Sequence, residues 1–170
     1  TNLKDGMAWG LFPIYFATAG LSVGQIGTVV AVYPAAWGIF QLFTGTLSDK
    51  IGRKVLITYG MWTQAAALWF ILFANQYILW ILGALLLGLG TAMVYPTLQA
   101  AISDVAEPDW RASSMGVYRF WRDSGYAFGA LMAGIIADLL GVNWAIGLVA
   151  FLPFLAGVLS KVRLKETIKN

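Results

Sequence analysis

An all-α integral membrane protein with six spanning helices is the fold this sequence predicts, and three observations predict it. Of the 170 residues, 59% are hydrophobic and only 11% are charged, with a mean hydropathy of +0.74. A soluble domain is about one quarter charged, so this chain cannot clothe a core in polar surface. The charges also leave long gaps. Residues 6–48 and 55–103 hold no Asp, Glu, Lys or Arg, and residues 124–160 hold only Asp138. Finally, the cations segregate to one side of the topology that those gaps define.

A spanning helix needs about 20 apolar residues. Each charge-poor stretch is about twice that length, so each reads as a helical hairpin. Turn signals divide the three stretches at residues 20–25 (Gly20, Ser22, Gly24), at Asn75-Gln76, and at residues 138–143 around Gly141. The first helix is expected over roughly 4–19, closed by Gly20, and the second over roughly 23–47, from the Ser22 turn to the next charges. The third is expected over roughly 54–75, up to the Asn75 turn, and the fourth over roughly 77–104, ending at Asp104. The fifth is expected over roughly 112–138 and the sixth over roughly 143–162, stopped by the basic tail. The segments are too long for strands and lack period-two alternation. Pro13, Pro34 and Pro96 fall inside the first, second and fourth helices, where each would kink its helix.

With six spans, the N-terminus, the second–third and fourth–fifth links and the tail share one side. Lys4, Lys50, Arg53, Lys54, Arg111, Arg119, Arg122, Lys161, Arg163, Lys165 and Lys169 all fall there, and the other side has Asp138 and no cation. The positive-inside rule makes the basic side cytoplasmic. Both termini are then cytoplasmic, in a plasma (inner) membrane. The chain opens on Thr1 rather than Met, and its first span starts almost at once, so a piece of a longer protein is expected. With no Cys and no His, disulfides, thiolate nucleophiles, imidazole bases and soft-metal sites are excluded. No phosphate-binding loop of the G-x-x-x-x-G-K-[ST] type occurs, nor a basic patch interleaved with aromatics. No enzyme, cofactor, metal or nucleic-acid partner is expected.

One short stretch concentrates the charge. "GTLSDKIGRK", residues 45–54, carries Asp49, Lys50, Arg53 and Lys54 with Gly45 and Gly52. Asp49 closes the second helix and Arg53 and Lys54 open the third, each at the dipole end that disfavours its charge. The plainer reading is a set of topogenic cations with a solvated carboxylate. The glycines argue for a close backbone passage instead.

The pattern Gly45-x-Leu47-Ser48-Asp49-Lys50-x-Gly52-Arg53-Lys54 resembles the signature loop of the major facilitator superfamily, Gly-x-Leu-Ala/Ser-Asp-Arg/Lys-x-Gly-Arg/Lys-Arg/Lys, at every defined position. "GLGTAMVYPTLQAAISD" resembles that family's fourth helix of a half, "RASSMGVYRFWRDSGYAFGALMAGIIADLLG" its fifth, and "RLKET" the charged run that closes a half. The likeness covers essentially the whole chain. It implies one six-helix half built as two inverted three-helix repeats. "KDGMAWGLFP" and "RFWRD" resemble the C-terminal half, which leaves the N-terminal six-helix half as the missing partner. By the same resemblance, Asp49 would dock on the opposite half and Arg53 would reach Asp104, as a latch formed in one conformational state and broken in another.

In the fifth helix, Arg119, Arg122, Asp123 and Tyr126 share one face at i, i+3, i+4 and i+7. An Arg119–Asp123 pair that neutralises itself is one reading; a gate, an anion contact or proton coupling is the other. Tyr33, Trp37 and Gln41 form a stripe on the second helix, as do Thr91, Tyr95 and Gln99 on the fourth. Helix packing accounts for such stripes unless they line a cavity, which the family geometry implies for these helices. Asp5 and Trp9 on the first helix belong with them. The expected function is secondary active transport of a small solute by alternating access in a lipid bilayer, with a coupling proton as an open further partner. The alternatives are a free-standing six-helix homodimeric transporter or channel, and a membrane scaffold that moves nothing.

Overall fold

The computed structural model describes residues 2–168, so Lys169 lies outside the described residues. Apolar runs fold into six helices: α1 (Asn2–Thr18), α2 (Val23–Ile51), α3 (Arg53–Phe73), α4 (Tyr77–Val105), α5 (Arg111–Leu140) and α6 (Val142–Arg163). A single 3-10 turn, Pro108–Trp110, precedes α5. No strand occurs among the described residues. The helices α2 to α6 are long and apolar enough to cross a membrane; α1, at 17 residues, is shorter.

Local chemistry sets the breaks. Gly20, at φ +87°, ends the first hairpin arm. Ser22 then caps α2: its hydroxyl accepts from the Gln25 N–H at 3.3 Å, and the Gln25 side chain accepts from the Ser22 N–H at 3.0 Å. The second–third connection departs from expectation. α2 continues through Asp49 and Lys50 to Ile51, and Gly52 alone separates it from α3. The charged stretch is therefore two helix ends and one glycine, not a loop. The helix persists because Arg53, four residues on, neutralises Asp49 at 2.6 Å and removes the unfavourable dipole contact.

An internal repeat shows in the packing. α2 packs mainly on α4, and α1 mainly on α5. Exchanging helices one to three with four to six maps each of these pairs onto the other. The same exchange maps α3–α4 onto α1–α6 and α3–α6 onto itself, and all these contacts occur. It also maps the α2–α3 turn at Gly52 (φ 102°, ψ 142°) onto the α5–α6 turn at Gly141 (φ 95°, ψ 158°).

The main core joins Phe16, Leu68, Ile71, Leu87 and Ile146, with none of them more than 0% exposed. A smaller cluster of Ile57, Met61, Val94 and Ala101 lies between α3 and α4. Glycines close the crossings. A Cβ on Gly6 would run into the Tyr126 carbonyl, and one on Gly129 into the Leu3 carbonyl, so α1 and α5 touch backbone to backbone. Gly88 does the same for α4 against α2, where a Cβ would lie 2.6 Å from the Tyr33 carbonyl oxygen.

Candidate functional site

The α1–α5 and α2–α4 crossings bring four helices around one polar strip. Ten of the 17 residues of α1 are buried, so even adjacent side chains face protein. Lys4, counted among the end cations from sequence, is in fact buried, at 1% exposed, and Asp5 at 2%. Lys4 stands in the first turn of α1, but its surroundings lie well inside the longer helices: Tyr33 in α2, Thr91 in α4, and Tyr126 of α5 against nearby Gly6, so the cation is matched inside the bundle. Its ammonium donates to Asp5 Oδ1 at 2.5 Å and to the Tyr33 hydroxyl at 3.0 Å. The Tyr33 hydroxyl also donates to Asp5, and lies 3.2 Å from Thr91 Oγ1. Such a pair survives burial only with its charges matched and hydrogen bonds supplied; the Tyr33 hydroxyl, itself braced by Thr91, bonds both partners.

Aromatic rings extend the strip. Trp9 sits 6.1 Å from Tyr33, Tyr33 stacks on Trp37 at 6.4 Å, and Trp37 meets Tyr95 edge-on at 5.0 Å. The Arg122 guanidinium lies 4.8 Å from the Tyr95 ring centre and 5.8 Å from that of Tyr118, and donates to the Tyr95 hydroxyl. Its Nε pairs with Asp123 Oδ1 at 2.7 Å. The i, i+4 pair between Arg119 and Asp123, one of the two readings of this face, gives way to this neighbouring one. Two tyrosine rings hold Arg122 against the strip, whereas Arg119 is exposed. Tyr126 is half-buried, its backbone against Gly6. Gln41 is exposed and Gln99 half-buried, and neither has a hydrogen bond or ring contact among the described residues.

The second cluster lies at the α2–α3 turn. Arg53 Nη1 pairs with Asp49 Oδ1 at 2.6 Å and its Nε with Asp104 Oδ2 at 3.1 Å, while Nη1 also donates to Ser48 Oγ. Ser48 is held by its own bond to the Gly45 carbonyl at 2.7 Å. The Asp49 carboxylate stays 60% exposed. Leu47 and Lys50 face outward. Asp49, Arg53, Asp104, Thr167 and Ile168 line an open cavity of about 360 Å³.

Sequence reasoning missed the residue that completes this cluster. Glu166 accepts the backbone N–H of Arg53 at 2.9 Å and of Lys54 at 3.1 Å. It thereby caps the α3 N-terminus and offsets the two cations there. Thr167 Oγ1 donates to Asp104 Oδ2 at 3.0 Å. Burial tends to raise the Glu166 carboxyl, but backbone N–H groups of Arg53, Ile168, Lys54 and Thr167 outweigh it and hold its pKa below the ordinary range. The carboxylate also presses on Gly52: a Cβ there would lie 2.5 Å from Glu166 Oε2. The only local sign of this contact was the "RLKET" run itself.

The sequence matches the family profile of the Major Facilitator Superfamily over residues 2–169. The chain belongs to that superfamily. Two curated superfamily relatives show the scale of the likeness. An uncharacterised MFS-type transporter of Methanocaldococcus jannaschii is 25% identical over 170 residues, which is all of this chain and 44% of that protein. The quinolone resistance protein NorA of Staphylococcus aureus is 26% identical over 137 residues, 81% of this chain and 35% of that one. The chain thus spans less than half the length of these relatives. Among solved structures, a mutant peptide transporter in complex with sulfate superposes with a TM-score of 0.74 at 20% identity, over 95% of this chain and 36% of that one. A second structure of the mutant gives 0.79 at 19% identity, over 94% and 35%. At these identities the likeness carries the superfamily fold.

Proposed function

We propose that this bundle is one half, the C-terminal one, of a secondary active transporter that moves a small solute by alternating access. Its partner is a second six-helix half, and its basic end with both termini faces the cytoplasm from the plasma (inner) membrane. Rocking of one half against the other is the working event, with no covalent chemistry. The observation that carries this reading is the Arg53 cluster: one guanidinium holds Asp49 and Asp104 from two helices, while the Asp49 carboxylate remains 60% exposed. A half-hydrated carboxylate can exchange partners at modest cost, which is what a latch between two states requires. In the alternate state Asp49 leaves Arg53 for the opposite half, and Gly45, Gly52, Lys50 and Lys54 frame the contact. The strip from Lys4–Asp5 to Arg122–Asp123 faces the solute path. Asp5 and Asp123 are the carboxylates available to a coupling proton.

The test uses the full-length transporter. A thermal-shift screen first selects a solute, and its uptake is then measured in proteoliposomes. Arg53→Ala and Asp49→Asn are expected to slow uptake by about tenfold or more at unchanged expression, in keeping with the loss of a partly buried charge partner. Parental rates in both variants would overturn the latch.

A further inference from the structure

A second pocket, of about 310 Å³, opens between α3 and α6 at the basic end, lined by Lys54, Val55, Thr58, Tyr59, Trp62 and Lys161. It borders the Arg53 cluster and shares Lys54 with the proposed latch, but none of its other lining residues belongs to either. Its cations are unpaired. Lys4, Arg53 and Arg122 each hold a carboxylate, but neither Lys54 nor Lys161 has one among the described residues. The Lys161 ammonium instead lies 5.4 Å from the centre of the Trp62 ring, where ring attraction holds it without neutralising it. The wall also carries two orphan polar atoms. Thr58 Oγ1 is buried with no hydrogen-bond partner, and Thr58 as a whole is 4% exposed; Trp62 Nε1 is orphaned too, but it is turned onto α6, 2.5 Å from where a Gly157 Cβ would stand. A buried polar atom left unmatched is costly and is rare in a finished structure.

The pocket's surroundings say what would match them. Lys54 stands in the first turn of α3 and Lys161 in the last turn of α6, so both mark the edge of the apolar slab. The lining beyond the cations is apolar or aromatic and open to the outside: Tyr59 is 57% exposed and Val55 41%. Cations at a span's end, aromatics one to two turns inward and an apolar gutter beyond are the arrangement of a headgroup boundary. The α3 N-terminus cannot serve the anion, because Glu166 already occupies it. Side chains have to do so.

We infer that this pocket binds an anionic glycerophospholipid from the leaflet at the basic end. The phosphate sits between the Lys54 and Lys161 ammoniums, the headgroup meets Thr58, and an acyl chain follows the apolar groove of α3 and α6. Basic pockets between spanning helices are suited to such headgroups.

Native mass spectrometry of the full-length protein, released from detergent and titrated with phosphatidylglycerol or with phosphatidylcholine of the same chains, tests this directly. Phosphatidylglycerol adducts are expected to dominate. The double variant Lys54→Gln/Lys161→Gln is expected to lower them about tenfold without moving the thermal unfolding midpoint. Thr58→Val lowers them less, Lys161→Arg keeps them, and Arg111→Gln, an exposed cation outside the pocket, changes nothing. Equal retention of the two lipids, or undiminished phosphatidylglycerol in the double variant, overturns the inference. Displacement of the lipid by inorganic phosphate at equal concentration does so too, by assigning the pocket to a free anion. No transport measurement enters, so the result stands apart from the proposed function.

Discussion

The turns at Gly52 and Gly141 are the same backbone used twice. Each is a single glycine near φ +100° between two long helices, and the internal repeat places one over the other. Their surroundings differ sharply. Gly52 is flanked by Asp49, Lys50, Arg53 and Lys54 and is pressed by Glu166. Gly141 is flanked by exposed Leu139 and Leu140, and nothing lies within 4 Å of where its Cβ would stand. The shared part is architectural: a residue without Cβ lets one helix fold straight into the next. The unshared part, a guanidinium with two carboxylates and a capping glutamate, has been added at one end of the repeat only. The difference separates what the fold needs from what the proposed latch needs.

The sharpest break of the comparison is alanine at both turns. Gly141→Ala is expected to cost about 1–3 kcal/mol, the strain of a non-glycine residue at that φ. Gly52→Ala is expected to cost about 1 kcal/mol more, because the new methyl displaces the Glu166 cap and its hydrogen bonds. Adding Glu166→Ala to each should bring the two costs together, and thermal unfolding in detergent reads the cycle.

Acid titration resolves the same difference more gently. Folding lowers the Glu166 pKa from its ordinary 4.5. The stability it contributes is therefore fully present above 4.5 and lost as pH falls through the lowered folded value. The gap in unfolding midpoint between the parent and Glu166→Gln should be open at neutral pH and should close in acid. A gap that persists at low pH assigns the effect to packing and not to the charge. The smallest effect belongs to the bare turn. Asp138→Asn, near Gly141, should leave stability within about 0.5 kcal/mol, measured in the same way.

The six helices were legible because the absence of charge over two helix lengths is a bulk property, insensitive to how the helices pack. Gly141 was legible for a similar reason, as a break inside a charge-poor run. The extension of α2 was not. The dipole rule puts Asp49 at odds with a helix end, and only its pairing with Arg53 across Gly52 reverses that. The burial of Lys4 was not legible, because composition cannot tell a cation anchoring a helix end from one matched inside the bundle. The decisive partner, the Tyr33 hydroxyl, comes from another helix. Glu166 meets Arg53 from 113 residues away, beyond any local pattern. The stripes on α2 and α4 put Tyr33, Trp37, Thr91 and Tyr95 on facing sides, because period-four spacing fixes a helix face. That spacing could not show that Gln41 would stay exposed while Thr44, three residues on, takes the α4 contact by donating to the Ala92 carbonyl at 2.6 Å.

The Lys4–Asp5 pair has one more consequence, which concerns voltage. A lone charge at that depth would feel the transmembrane field at about 2.3 kcal/mol per 100 mV for a full crossing. While Asp5 is ionised the pair sums to zero within 2.5 Å, so the field exerts almost no net force on it, and a tilt of α1 drags almost no charge through the potential. Any voltage dependence in a cycle built on this centre then belongs to the solute and ions that cross, a proton taken up by Asp5 among them, and not to the ionised pair itself.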